Sequence, residues 1–216
     1  MFRGFPRARL AELAGQARVS SVPRNTAPVR LGEALPGLLV VLRGMLKVAL
    51  PHGGRVIALV GPGESFGEAS IALGGAPRLE VVALVESTVA VLPRESLLAL
   101  LRGDARLAMR FARSLANQVR SLVEALEASV SRHGAQRLAA YLDSLARPGD
   151  GGGACSVKLP ASKTVIASLL GMKKETLSRL LRELSARQLI RVSGREIGIL
   201  DRARLAPTTQ QQARPE

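Results

Sequence analysis

Leu159-Pro-Ala-Ser-Lys-Thr-Val-Ile-Ala-Ser-Leu-Leu-Gly-Met-Lys-Lys-Glu-Thr-Leu-Ser-Arg-Leu-Leu-Arg-Glu-Leu-Ser-Ala-Arg-Gln-Leu189 is the stretch that decides how this chain is read. Its apolar spacing predicts two short helices, over residues 163–170 and 174–187. Gly171 between them supplies a tight turn, because glycine takes positive φ at least cost. Ala167, four positions earlier, is small enough for two helices to cross closely. Leu177, Leu180, Leu181 and Leu184 recur at helical spacing and are expected to face a core. Glu175, Ser178, Arg179 and Arg182 follow the i, i+3, i+4, i+7 spacing and form one polar stripe on the other face. Arginine forks two hydrogen bonds to guanine, glutamate accepts from a cytosine amine, and serine serves either base. These are the needs of a helix-turn-helix whose second helix lies in the major groove.

A charged helix face is ordinarily only a solvated face, but two neighbouring features favour the DNA reading. Residues 190–200, Ile-Arg-Val-Ser-Gly-Arg-Glu-Ile-Gly-Ile-Leu, alternate apolar and polar around Ser193-Gly194. That pattern predicts a hairpin directly after the second helix, the winged form of the motif. Charge points the same way. Residues 155–216 hold 12 Lys and Arg against 5 Asp and Glu, a net +7.

Composition bounds the rest. The 216 residues suffice for one large or two modest domains. Apolar residues make up 47% but aromatics only 2%, so the cores must be built from Leu, Val and Ala. Few aromatics also argue against single-strand and RNA modules, which stack bases on aromatic rings. The net charge of +14 suits a polyanionic partner, double-stranded DNA. One cysteine excludes an internal disulfide and a four-cysteine iron–sulfur cluster. Two isolated histidines argue against a metal-dependent cupin enzyme, and no metal site or catalytic residue is expected. No apolar run reaches membrane-spanning length and no secretory segment opens the chain, so a cytoplasmic, soluble protein with no membrane partner is expected.

In chain order, residues 1–18 read as a short helix or loose arm, with Leu10 and Leu13 apolar. Residues 19–102 change texture: short apolar runs alternate with glycine. Runs 38–42, 45–50, 56–60, 81–85 and 88–92 read as strands, which suggests an antiparallel sandwich or jelly roll. Pro51-His-Gly-Gly54 reads as a hairpin turn with His52 exposed. A helix is expected over 94–101, followed by a long helix from an Asp104 cap to about residue 132. Phe111, Leu115, Val119, Leu122 and Leu126 make a narrow apolar stripe on it, a candidate coiled-coil seam for a homodimer. Residues 103–134 are therefore the dimerisation helix and hinge, with Gly134 at the break. Residues 135–206 are the DNA-binding domain, beginning with a helix over 135–146 and including a flexible loop at 147–153. Residues 207–216 read as a disordered tail.

The Glu175-Thr-Leu-Ser-Arg179 run and the Gly194-Arg-Glu-Ile hairpin resemble the Crp/Fnr superfamily of bacterial transcription regulators. These are named for the cyclic-AMP receptor protein and the fumarate and nitrate reduction regulator. Val29-Arg-Leu-Gly-Glu33, Val41-Leu-Arg-Gly44 and Gly61-Pro-Gly-Glu-Ser-Phe-Gly-Glu68 resemble the family's effector domain, so the likeness covers most of the chain. It implies an α+β protein: an N-terminal antiparallel jelly-roll sensor like the cyclic-nucleotide-binding fold, a long dimerisation helix and a C-terminal winged helix-turn-helix. It implies partners as well: duplex DNA, a second copy of the chain, and RNA polymerase at promoters.

By the same resemblance, Gly67, Glu68 and Arg78 occupy the positions that hold the ribose and phosphate of a cyclic nucleotide. The hydroxyl expected after the arginine is replaced by Leu79, with Glu80 beyond it. The Thr-Ser pair of the long helix is Arg132-His133 here. An apolar group and a like charge beside a phosphate disfavour cyclic AMP. The tail of the hairpin, residues 194–202, looks somewhat like the dissimilatory nitrate respiration regulators, which bind haem. Haem would draw an imidazole from His52 or, better placed, His133, with Met45 or Met109 as softer ligands. Cys155 reads as a small apolar filler.

The reading is then an effector-controlled, non-enzymatic regulator that responds to a redox or nitric-oxide-type signal. Glu175, Ser178 and Arg179 match the family pattern that goes with a TTGAT-N4-ATCAA operator. Lys173, Lys174 and Arg182 are left for phosphates. The alternatives are a cyclic-nucleotide-responsive regulator and an effector-independent DNA-binding protein.

Overall fold

The computed structural model describes residues 7–29, 31–52, 54–131, 134–146 and 155–205. The chain divides into two compact units, Met1–Leu122 and Val123–Glu216.

The first unit opens with α1 (Arg7–Gln16) and β1 (Arg18–Val22). Strands β2 (Gly37–Arg43), β3 (Leu46–Ala49), β4 (Val56–Val60) and β5 (Ser65–Phe66) follow. Helix α2 (Glu68–Leu73) precedes β6 (Glu80–Ala83), β7 (Ser87–Pro93) and α3 (Arg94–Gly103). The strands form two antiparallel sheets, ordered β1-β7-β2-β5 and β4-β3-β6. This is the expected jelly-roll architecture.

Strand periodicity explains how one sheet serves two cores. Leu38 pairs with Leu92 and Leu39 with Val91 across β2 and β7. Successive side chains point to opposite faces. Leu39 and Val89 therefore join Val41, Leu46, Val48 and Val81 inside the barrel. Leu38 and Leu92 turn outward to meet Leu13 of α1, Ile71 of α2, Leu97 of α3 and Phe111. Burying each such side chain contributes roughly 1.5–3 kcal/mol.

Helix α4 (Ala105–Ser131) begins where the sequence places its cap. The backbone N–H groups of Arg106 and Leu107 donate to Asp104 Oδ1 at 2.9 and 3.1 Å. Its apolar stripe divides by exposure within the single chain. Phe111 is buried in the outer core of its own unit and Leu115 packs against it. Val119, Leu122 and Leu126 remain 59%, 54% and 65% exposed, with Val123 beside them at 48%.

The second unit continues with α5 (Gly134–Leu145), β8 (Cys155–Lys158), α6 (Lys163–Leu169) and α7 (Lys174–Ala186). The hairpin β9 (Ile190–Ser193) and β10 (Glu196–Ile199) and a short α8 (Arg202–Leu205) complete it. The sheet order is β8-β10-β9, all antiparallel. The first of these strands was not foreseen. The hairpin turn is Gly194-Arg195, one residue later than expected, since Ser193 still pairs with Glu196. Arg202 Nε donates to Asp143 Oδ1 at 2.7 Å and ties α8 to α5. Strands β3 and β6 are also shorter than the apolar runs that predicted them. Leu84 and Val85 leave the ladder as a bend, with the Leu84 N–H donating to the Met45 carbonyl. Gly134, the expected break, is the first residue of α5. Arg132-His133, the loop at 147–153 and the tail at 207–216 lie outside the described residues.

Candidate nucleic-acid interface and sensor site

Helix α6 starts at Ser162, whose Oγ accepts the Val165 N–H at 3.4 Å. It ends in the predicted turn: Gly171 has φ 63°, and its N–H donates to the Ser168 carbonyl at 3.0 Å. Ala167 is 1% exposed at the crossing. Arg137 of α5 donates through Nε to the Leu170 carbonyl at 2.9 Å, which caps the end of α6 from outside the motif. Sequence spacing gave no sign of that contact.

Helix α7 divides as its periodicity requires. Leu177, Leu180, Leu181 and Leu184 are buried. Lys173, Lys174, Glu175, Arg179 and Arg182 are exposed, and Ser178 is half-buried among them. The stripe is thus presented on a helix whose opposite face is locked into a core. Arg182 Nε leans on the Ser178 carbonyl at 3.4 Å. Arg179 Nη1 is held by Glu183 Oε1 at 2.9 Å, a partner the sequence reading passed over. Arg195 in the wing turn was passed over too. Its Nε and Nη2 donate to the Leu159 carbonyl at 3.1 and 2.9 Å, and Nη2 also reaches the Pro160 carbonyl at 3.1 Å. It fixes the wing to the segment between β8 and α6 that leads into the motif.

In the first unit, Gly67 sits at φ 108° before α2. A Cβ there would come within 2.9 Å of Leu35 Cδ1, a side-chain end that can shift, so it is the backbone conformation that selects glycine. Glu68 is 1% exposed. Its Oε1 accepts the Ser65 hydroxyl at 2.5 Å and the Ser114 hydroxyl of α4 at 3.2 Å. Oε2 is buried with no hydrogen-bond partner among the described residues. Arg78 lies exposed on the loop before β6. Leu79 packs against the barrel core, and Glu80 Oε1 accepts the His52 N–H at 3.4 Å. His52 is exposed, as expected, at φ 58° in its turn. A cavity of about 290 Å³, lined by Val22, Val29, Leu35, Leu39 and Val89, lies under β1 and includes none of Gly67, Glu68 or Arg78.

His52 is exposed in its turn and is not among the residues that line the cavity under β1. Among the described residues no group of three His, Cys, Asp or Glu side chains is placed to hold a metal ion. His133 lies outside those residues. Cys155 is a half-buried free thiol at the start of β8. Among the described residues no helix is long and apolar enough to cross a membrane.

Two family models match the chain. Residues 19–104 match a cyclic nucleotide-binding domain, and residues 136–208 match a Crp-like helix-turn-helix domain. The cyclic AMP receptor protein of Thermus thermophilus is 30% identical over 178 residues, 81% of this chain and 79% of that protein. The CRP-like cAMP-activated global transcriptional regulator of Mycobacterium tuberculosis is 26% identical over 211 residues, 95% of this chain and 94% of that one. The solved structure of FixK2 from Bradyrhizobium japonicum superposes with a TM-score of 0.78 at 25% identity, covering 91% of this chain and 99% of that chain.

Proposed function

Because the chain belongs to the Crp/Fnr family of transcription regulators, we propose that it is an effector-controlled homodimer that reads a two-fold operator with α7. The observation that carries this is the division of α7: four buried leucines on one face, and Glu175, Ser178, Arg179 and Arg182 on the other. Arg179 forks onto guanine, Glu175 accepts from a cytosine amine and Ser178 contacts thymine. Lys173, Lys174 and Arg182 take phosphates, which position the protein without specifying sequence. The operator is TTGAT-N4-ATCAA, from the Glu175, Ser178 and Arg179 pattern. RNA polymerase is the partner at promoters. Fluorescence anisotropy tests the assignment with that duplex against a scrambled duplex of equal length. Preference for the first at matched salt supports it; equal affinity overturns it.

The two-fold comes from α4. Val119, Leu122 and Leu126 are exposed at helical spacing and supply the seam that Phe111 and Leu115, used within their own unit, do not. Effector binding in the barrel shifts the balance between two arrangements of the paired DNA-binding units.

The effector is not cyclic AMP on this reading. Leu79 packs against the barrel core at the position where the resemblance expects a hydroxyl for a phosphate, and Glu80 adds a negative charge next to it. Glu68 Oε2 favours a second reading: a buried carboxylate oxygen without a partner would accept a ribose hydroxyl. Titration calorimetry with cyclic AMP separates the two. Micromolar binding lost in Arg78→Leu favours the second reading; no heat favours the first. The signal proposed instead is of redox or nitric-oxide type. A haem spectrum in protein purified anaerobically with haem supplied, lost on His133→Ala, would support it. Absence of that band removes haem.

A further inference from the structure

Glu183 stands on the flank of the reading stripe, one turn beyond Arg179 and on the side away from Ser178 and Arg182. Its carboxylate holds Arg179 Nη1 at 2.9 Å, with the two side chains 62% and 50% exposed. Two features argue against an ordinary helix-stabilising pair. The arginine precedes the glutamate, the less favourable order for an i, i+4 pair along a helix dipole. The acid also lies beside the face offered to a polyanion, where its charge opposes binding to any duplex. The contact uses only one terminal nitrogen of the guanidinium. The Nε–Nη2 edge, two parallel N–H donors, makes no hydrogen bond among the described residues and matches the paired acceptors of a guanine.

We propose that Glu183 is a specificity-determining, positioning residue: it holds the Arg179 fork at the angle needed for a base edge and keeps that arginine off the phosphates. This rests on the assignment of α7 as the reading helix. A free arginine takes whichever anion is nearest, and in a duplex that is a phosphate. An arginine already held on one nitrogen retains a two-donor edge that a guanine matches and an adenine does not. Glu183 therefore lowers affinity for all DNA and raises the ratio between right and wrong sequence.

The test measures anisotropy Kd values for the TTGAT-N4-ATCAA duplex and for the same duplex with both G·C pairs changed to A·T. Wild type, Glu183→Ala, Glu183→Gln and Arg179→Ala are compared at one salt concentration. Glu183→Ala is expected to bind both duplexes more tightly while the ratio falls about two- to fivefold, the size an exposed ion pair can supply. Glu183→Gln, which keeps an acceptor for Nη1, is expected to recover most of the ratio. Glu183→Ala with an unchanged ratio overturns the proposal, because a merely solvated acid would shift both duplexes alike. So does a ratio that Glu183→Gln fails to recover. If Arg179→Ala leaves the wild-type ratio intact, or wild type shows none, the reading of α7 fails first. If Arg179→Ala abolishes the ratio and Glu183→Ala does not touch it, only the role of Glu183 fails.

Discussion

The Ser114 hydroxyl of α4 donates to Glu68 Oε1 at 3.2 Å, so the turn at Gly67 and the long helix share one buried carboxylate. Ser65 holds the same oxygen from the other side. Removing one hydroxyl partner from a buried carboxylate costs about 1–3 kcal/mol. Ser114→Ala is expected to lower the urea midpoint of the first unit by a corresponding amount. Ser121→Ala, exposed on the same helix, should leave it within about 0.5 kcal/mol of wild type. Equal midpoints in the two variants would show that the carboxylate does not depend on α4.

The split stripe of α4 makes two apolar residues behave differently. On the proposed dimer, Leu122→Glu would place like charges against each other in an apolar seam, at a cost of several kcal/mol. Sedimentation should then show a folded monomer. Phe111→Ala opens a cavity in the barrel's outer core and should cost about 3–5 kcal/mol of folding stability. A Leu122→Glu protein that stays dimeric would move the interface elsewhere.

Tyr141 is the chain's single tyrosine, and there is no tryptophan, so tyrosinate absorbance reports one site. Burial pushes its pKa from 10.0 up to about 12, and its hydroxyl is buried without a partner among the described residues. The folded unit keeps the neutral form while the unfolded chain ionises near 10. The stability involved is intact below pH 10 and is lost as pH rises through 12. Ultraviolet titration should place the folded midpoint near 12 and the urea-unfolded one near 10. A folded midpoint at 10 contradicts the burial. Tyr141→Phe should hold its stability further into alkali than wild type.

What was legible in the sequence was local. Leu177, Leu180, Leu181 and Leu184 repeat every three to four residues, and nothing distant is needed to bury one face of α7. Gly171 and Asp104 are punctuation with a physical meaning at their own positions. What was missed depends on pairing across the chain. Strand β8 is four residues long, and its partner β10 lies about forty residues away. Phe111 looks like seam because it shares the helical phase of Leu122; only the arrival of Leu38 and Leu97 decides that it is core. Glu183 was within reach, since an acid four residues beyond a reading arginine is visible in the sequence. It was overlooked because it falls beside the stripe and not on it.

Lys173 and Arg179 should separate positioning from reading. Lys173→Ala is expected to weaken binding to all duplexes alike and to reduce the slope of log K against log salt by about one. A sequence-dependent loss would make Lys173 a base contact.

Selection of bound duplexes from a random pool, by wild type and Arg179→Ala in parallel, decides whether α7 reads sequence through Arg179. Wild type is predicted to enrich a palindrome with the TTGAT half-site. Arg179→Ala should lose about 1–3 kcal/mol at the G·C pair and relax the preference there alone. A wild-type protein that enriches no G·C-containing palindrome, or an Arg179→Ala protein that enriches the same one, would contradict the account.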